Sequence, residues 1–243
     1  MALLELKGLT KRFGGLVAND RIDMAVEAEE IVGIIGPNGA GKTTLFNCIA
    51  GLYPVSEGAI FFRGKDVTRL PPEGRCGEGM GRTFQVVRVF KEMTVLENVT
   101  VGAFSKRDRL KAAQEKALDV LRFVGLFEKR GQLAGGLTIS DKKRLEFAKA
   151  LATEPVLLML DEVLAGLNLS ETAEAVKLVK AVRDAGVAVL MVEHVMEAIM
   201  PISNRVVVLN YGKKIAEDEP QKVIHDPEVI SAYLGAKYHA KGQ

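Results

Sequence analysis

Gly36-Pro37-Asn38-Gly39-Ala40-Gly41-Lys42-Thr43-Thr44 follows the apolar run Ile31-Val32-Gly33-Ile34-Ile35 and leads into Leu45-Phe46-Asn47-Cys48-Ile49-Ala50. The nonapeptide fits the phosphate-loop pattern G-x-x-x-x-G-K-[ST] in its mechanical context of strand, glycine-rich turn and helix. Small residues let the backbone curl until successive N–H groups point into one concavity, and the following helix adds its partial positive charge. Lys42 is then placed to reach β- and γ-phosphates and the Thr43 hydroxyl to ligate Mg²⁺. A glycine-rich turn that binds nothing is the plain alternative; the alignment of all three parts argues against it. The pattern implies a nucleoside triphosphate site.

The remaining composition narrows the class. A chain of 243 residues, 48% of them hydrophobic, can bury a substantial core. Its 33 Lys and Arg nearly balance 31 Asp and Glu, so no bulk field selects nucleic acid. No apolar run reaches the roughly 18 residues that span a bilayer, and Met1-Ala2-Leu3-Leu4-Glu5-Leu6 lacks the features of a signal peptide. A membrane role would therefore act through a partner. Cys48 and Cys76 show no metal-ligand spacing and are expected as reduced, buried thiols.

Taken in order, residues 2–6 and 21–26 alternate as half-exposed strands do, with Lys11-Arg12-Phe13-Gly14-Gly15 read as a loop between them. Phe13 is there either a plug for a small core or a face on which a purine stacks. A strand is expected near 59–63 and a short helix after Pro71-Pro72. Thr94-Val95-Leu96-Glu97 is a capping box, and Leu110, Ala113, Ala117, Leu118, Leu121 and Val124 recur at helical spacing. Another helix is expected over 140–152, ended by Pro155. Alternation then resumes: strand 156–160, helix 170–184, strand 187–192, helix 195–200, strand 205–209. Lys237 to Gln243 are expected to be loose. The pattern is that of an α/β fold with a mostly parallel sheet. One domain, 1–243, is expected, with residues 1–85 and 155–243 as its core lobe and 86–154 as a helical lobe.

Two further strand ends carry chemistry. Leu157-Leu158-Met159-Leu160-Asp161-Glu162 delivers two carboxylates where parallel sheets keep their ligands. Asp161 is expected to hold Mg²⁺ and Glu162 to take the proton of an attacking water; beside a phosphate loop this favours hydrolysis over transfer to a small molecule. Val189-Leu190-Met191-Val192-Glu193-His194 repeats the design. His194 is either a satisfied structural residue or a donor to the γ-phosphate or the attacking water. Gln85, also after a strand, is either a surface amide or a metal and water ligand where the lobes join, and its position favours the second.

In their order, the loop 36–43, Arg82-Thr83-Phe84-Gln85, Asp161-Glu162, Gly166-Leu167-Asn168 and His194 resemble the ATP-binding subunits of ABC transporters over residues 3–235. Met93 to Val99, Glu193-His194-Val195-Met196 and Ala232-Tyr233-Leu234-Gly235 are most similar to the ATPases of branched-chain amino-acid importers; lipopolysaccharide-export ATPases are similar too. The resemblance implies a P-loop nucleoside-triphosphatase core with an antiparallel N-terminal β portion and a helical subdomain. It implies Phe13 on adenine, residues 36–44 on phosphates, and Thr43, Gln85 and Asp161 around Mg²⁺. Glu162 would be general base and His194 the γ-phosphate sensor. It further implies a head-to-tail pair of ATP-binding subunits on membrane permeases at the cytoplasmic face, with a substrate-binding protein acting indirectly and no nucleic acid partner.

The signature stretch departs from the family. Where Leu-Ser-Gly-Gly-Gln is usual, this chain has Leu137-Thr138-Ile139-Ser140-Asp141, followed by the well-matched Lys142-Lys143-Arg144-Leu145-Glu146. Ile139 and Ser140 replace residues small enough for close backbone approach. The expectation is a weakened composite site on this signature, and so a heterodimer in the cell even if a homodimer forms in isolation. A nucleotide-gated subunit that scarcely hydrolyses is the rival reading, and intact Glu162 and His194 speak against it. Val163 stands where the family usually has proline.

Overall fold

Each residue of the strand Ile31–Ile35 is buried, and consecutive side chains feed two different cores, Ile31 and Ile35 one, Val32 and Ile34 the other. A strand apolar on both faces belongs inside a covered sheet, and burying each such side chain contributes about 1.5–3 kcal/mol. The computed structural model describes residues 2–84 and 87–240, with side chains through Tyr233.

In chain order the elements are β1 (Leu4–Phe13), β2 (Leu16–Val26), β3 (Ile31–Ile35), α1 (Lys42–Ile49), β4 (Glu57–Phe62), β5 (Lys65–Asp66), α2 (Pro72–Glu78) and β6 (Met80–Arg82). Then come α3 (Val95–Ala103), α4 (Leu110–Phe123), α5 (Ile139–Ala152), β7 (Leu157–Asp161), α6 (Leu169–Asp184), β8 (Ala188–Val192) and α7 (Met196–Ile199). The chain closes with β9 (Arg205–Asn210), β10 (Lys213–Asp218), α8 (Pro220–Val223) and α9 (Pro227–Ala240).

Two sheets result. An antiparallel one has the order β2-β1-β4-β5, and a six-stranded one has the order β10-β9-β3-β8-β7-β6, parallel except where β10 pairs antiparallel to β9. One core fills the space between the sheets, where Leu45, Phe46 and Ile49 of α1 meet Leu4, Leu6 and Phe62. The other covers the opposite face of the six-stranded sheet and runs into α3, α4 and α5. Ala113, Ala117, Leu121 and Val124 are buried there, whereas Leu110, the first residue of α4, is exposed. The capping box is present: Thr94 Oγ1 accepts from the Glu97 N–H, and the Glu97 carboxylate accepts from the Thr94 N–H at 2.7 Å.

Three local readings change. β1 runs on to Phe13, so the segment read as a loop is mostly strand, and only Gly14 and Gly15 make the turn. β10 was not expected, because its residues after Lys213 are all half-buried and show no clean alternation. The helix α9 continues through Ala240, into the stretch expected to be loose; Asp226 Oδ1 starts it by accepting from the N–H groups of Glu228 and Val229. Cys48 is buried as expected, while Cys76 is only partly so.

Candidate active site

The carboxyl ends of β3, β8 and β7, adjacent in the sheet, bring the phosphate loop, His194 and Glu162 together. They border a cleft of about 660 Å³ lined by Asn38 to Thr44, Glu162, His194 and Phe13. Convergence of strand ends at one site is what this architecture provides.

Within the loop, Gly41 is the N-cap of α1 with φ 97°, a left-handed value that a side chain resists. A Cβ there would lie 2.4 Å from the Ala18 carbonyl oxygen. That closeness is used: Asn19 Nδ2 donates to the Gly41 carbonyl at 3.1 Å, and the Gly212 N–H donates to the Ala40 carbonyl at 3.0 Å. The loop is thus fixed from β2 and from the β9–β10 turn. No acidic side chain stands in the first turn of α1, so its positive end faces the cleft uncompensated.

Asn38 to Thr44 line the cleft, whereas Gly36 and Pro37 do not and instead offer their carbonyls to Lys42. The Lys42 ammonium donates to the Gly36 carbonyl at 2.7 Å and to the Pro37 carbonyl at 3.0 Å. Burial lowers its pKa from the ordinary value, and the nearby Glu162 carboxylate opposes that shift. An ammonium that donates to two carbonyls is a cation that phosphate oxygens can claim.

Glu162 follows β7 with φ 49°, a conformation uncommon for a residue bearing a side chain. Its N–H donates to the Val192 carbonyl at 2.9 Å, and its Oε1 lies 2.7 Å from His194 Nε2. His194, 41% exposed at its side chain, is therefore engaged with the expected general base and still open to the cleft.

Asp161 is 2% exposed and does not line the cleft. Its Oδ2 pairs with Arg82 Nη2 at 3.2 Å, while its Oδ1 is buried without a hydrogen-bond partner among the described residues. Burial raises its pKa, with Arg82 pulling the other way. A buried carboxylate oxygen with no partner is a cost that a hard cation relieves. Together with the Thr43 hydroxyl it is the donor set that suits Mg²⁺, so these residues fit the ion. Gln85 lies outside the described residues.

Phe13, 45% exposed, meets Tyr53 edge-on with ring centres 5.5 Å apart, and the Lys11 ammonium sits 4.7 Å from its ring centre. It lines the cleft, which favours the stacking alternative over the core plug. Leu16, Val17, Ala18, Tyr211 and Gly212 also line the cleft and were not picked out from sequence. Leu16 to Ala18 open β2, whereas Tyr211 and Gly212, at φ 44° and 78°, form the β9–β10 turn and alone carry a recognisable turn signal.

Leu137 to Asp141 do not line this cleft. Thr138 is the N-cap of α5: its hydroxyl accepts from the Asp141 N–H at 3.1 Å and donates to Asp141 Oδ2 at 3.0 Å. Lys129 pairs with the same carboxylate. Ile139 is 70% exposed.

Comparison with known proteins agrees with this geometry. A family model described as ABC transporter matches residues 19–165, and one described as branched-chain amino acid ATP-binding cassette transporter matches residues 213–239. The chain is 42% identical over 249 residues to the high-affinity branched-chain amino acid transport ATP-binding protein LivG of Escherichia coli strain K12, with 96% of this chain and 98% of LivG covered. It is 30% identical to the lipopolysaccharide export system ATP-binding protein LptB of Haemophilus influenzae, over 98% of this chain and 99% of LptB. The crystal structure of an ABC transporter cassette in its ADP conformation superposes with a TM-score of 0.88 at 31% identity, covering 97% and 99% of the two chains.

Proposed function

The chain belongs to the ABC transporter ATP-binding family, and from that premise we propose that its ATP hydrolysis drives uptake of branched-chain or other amino acids. The observation that carries the catalytic part is the single cleft holding the phosphate loop, Lys42 and the Glu162–His194 pair. The cargo part is supported by the similarity to LivG and by the matched segment 213–239.

In this reading the amides of 38–44 and the positive end of α1 take the phosphates, and Lys42 exchanges two carbonyls for phosphate oxygens. Phe13 takes the adenine ring. Glu162 accepts the proton of the attacking water, and His194 holds the γ-phosphate side of the reaction in register. Thr43 and Asp161, with Gln85 from the adjoining segment, would hold Mg²⁺, which when bound neutralises developing charge on the phosphates.

Among the described residues no helix is long and apolar enough to cross a membrane. Attachment therefore falls to permease subunits, at the cytoplasmic face. A groove of about 360 Å³ where α3 and α5 meet β6 exposes Leu52, Phe90 and Val101 and offers these partners an apolar seat. The second ATP-binding subunit completes the cleft. Because the Thr138 hydroxyl is already engaged by Asp141 and Ile139 projects at the start of α5, the composite site on this signature is the weaker one. This supports a heterodimer in the cell. Changing Thr138-Ile139-Ser140 to Ser-Gly-Gly raises the assembled transporter's ATPase activity; unchanged activity counts against the asymmetry.

The test of the whole reading is purification with membrane partners, followed by ATPase assays with the cognate binding protein and leucine, isoleucine or valine. Stimulation by an amino acid supports the proposal. Stimulation by lipopolysaccharide instead, as the LptB likeness allows, overturns the cargo assignment.

A further inference from the structure

Glu193 is 1% exposed, the most deeply buried carboxylate among the described residues, and no step above uses it. It stands one residue before His194 at the end of β8, and its Oε1 accepts from the Leu164 N–H at 2.9 Å. Leu164 is two residues after Glu162. On the other side of the same backbone, the Lys143 ammonium donates to the Val163 carbonyl at 3.1 Å and also to the Ala165 carbonyl. The peptide group joining Val163 to Leu164 is therefore gripped on both sides, and the Ala165 carbonyl is held as well, by two side chains from two other parts of the chain.

This segment needs such restraint. Glu162 holds a left-handed backbone conformation, and Val163 lacks the fixed φ that proline gives the family at this place. A turn that follows such a strained residue keeps its place only where its surroundings over-determine it. The neighbouring backbone bonds are long, with Ala165 N–H to Glu162 carbonyl and Leu167 N–H to Leu164 carbonyl both at 3.3 Å. The clasp also costs something to keep: burial raises the Glu193 pKa to about 7, Glu162 adds repulsion, and the Leu164 N–H and Lys143 oppose both. A carboxylate kept in an environment that disfavours its charge points to a role beyond packing.

We propose that Glu193, with Lys143, is a positioning residue for hydrolysis, fixing the segment 163–165 so that Glu162 and His194 keep their 2.7 Å contact. Lys143 comes from α5, the helix capped by Thr138, so the clasp also ties the signature helix to the general base of its own chain. The inference rests on Glu162-dependent hydrolysis and is independent of the cargo.

The test uses the full chain in its assembled transporter with Mg·ATP. Glu193→Ala lowers kcat at least about tenfold with KM changed less than about twofold, since the phosphate loop is untouched. Glu193→Gln keeps an oxygen for the Leu164 N–H and restores kcat to within about threefold of the parent. Hydrogen exchange adds a local readout: the Leu164 amide loses protection in Glu193→Ala, keeps it in Glu193→Gln, and β3 and β7 are unaffected in both. A lowered melting temperature with unchanged kcat overturns the proposal, as does Glu193→Gln being as slow as Glu193→Ala. Should Glu193→Ala not fold, Lys143→Met carries the same kcat expectation, and parental kcat there overturns it.

Discussion

His194 Nε2 lies 2.7 Å from Glu162 Oε1, just beyond two neighbouring parallel strands that end in register, Asp161 facing Val192, so that Glu162 is one residue and His194 two residues past the last pair. In the proposed mechanism the contact links the group that accepts a proton to the group that senses the phosphate. Replacing Glu162 by Gln preserves a partner for His194 and removes the basic oxygen. Hydrolysis by the assembled transporter, followed as phosphate release, falls roughly 10²–10⁴-fold while ATP affinity stays within a few-fold. The variant accumulates as an ATP-bound closed dimer on size exclusion. Undiminished turnover removes Glu162 from the chemistry.

Gly41 and Gly39 separate conformational strain from steric exclusion. Both have left-handed φ, 97° and 79°, but only at Gly41 does an added Cβ meet neighbours, at 2.4 Å from the Ala18 oxygen and 2.6 Å from Asn19 Nδ2. Gly39→Ala costs about 1–2 kcal/mol from conformation alone. Gly41→Ala costs more and displaces the loop from β2. Chemical denaturation and nucleotide titration of both variants check the order, and equal effects contradict it.

Arg75 is a buried cation with no carboxylate partner among the described residues. Its guanidinium donates to carbonyls of Thr68, Leu70, Cys48 and Ile49, the last two at the carboxyl end of α1, where a helix presents partial negative charge. The helix that begins at Lys42 is thus secured at its far end. Arg75→Met strands those acceptors and lowers stability by about 2 kcal/mol or more. Arg75→Lys, offering a single ammonium to carbonyls on several sides, does not restore it. Melting curves for both substitutions decide this.

Glu193 sets a pH dependence. Its folded-state pKa, about 7, lies above the ordinary 4.5, so between those values the folded chain holds a proton that the unfolded chain has lost. Stability from this group is therefore full at the acid end and declines as pH rises from about 4.5 to 7, by on the order of a few kcal/mol. Glu193→Gln flattens the slope in that window. Urea titrations at pH 5, 6 and 7.5 measure it; a slope that survives the substitution assigns it elsewhere.

The sequence made most of the nucleotide core legible for a physical reason. β7 and β8 are buried on both faces, so they read as unbroken apolar runs ending in chemistry-bearing residues. α4 and the Thr94 cap were legible because amphipathic spacing and capping are local. β1 was cut short because its pairing shifts register around Leu6, Leu9 and Lys11, which breaks the two-residue alternation. Arg75 and Glu193 were passed over because their importance lies in distant backbone groups. Cleft residues such as Ala18 and Tyr211 were missed for the same reason: one sits near the start of β2 and the other on the β9–β10 turn, and only folding brings them to the phosphate loop. Asp161 was expected as a metal ligand, but its pairing with Arg82 was not legible.

The central claim is that Lys42 and the loop amides grip a triphosphate beside Glu162. Calorimetric titration of the full chain with ATP, with and without Mg²⁺, against Lys42→Ala tests it most directly. The account predicts magnesium-dependent binding that weakens at least about a hundredfold in Lys42→Ala, in keeping with loss of a charge-assisted contact from a water-poor site. Equal affinity in the two proteins, or no magnesium-dependent binding by the parent, contradicts it.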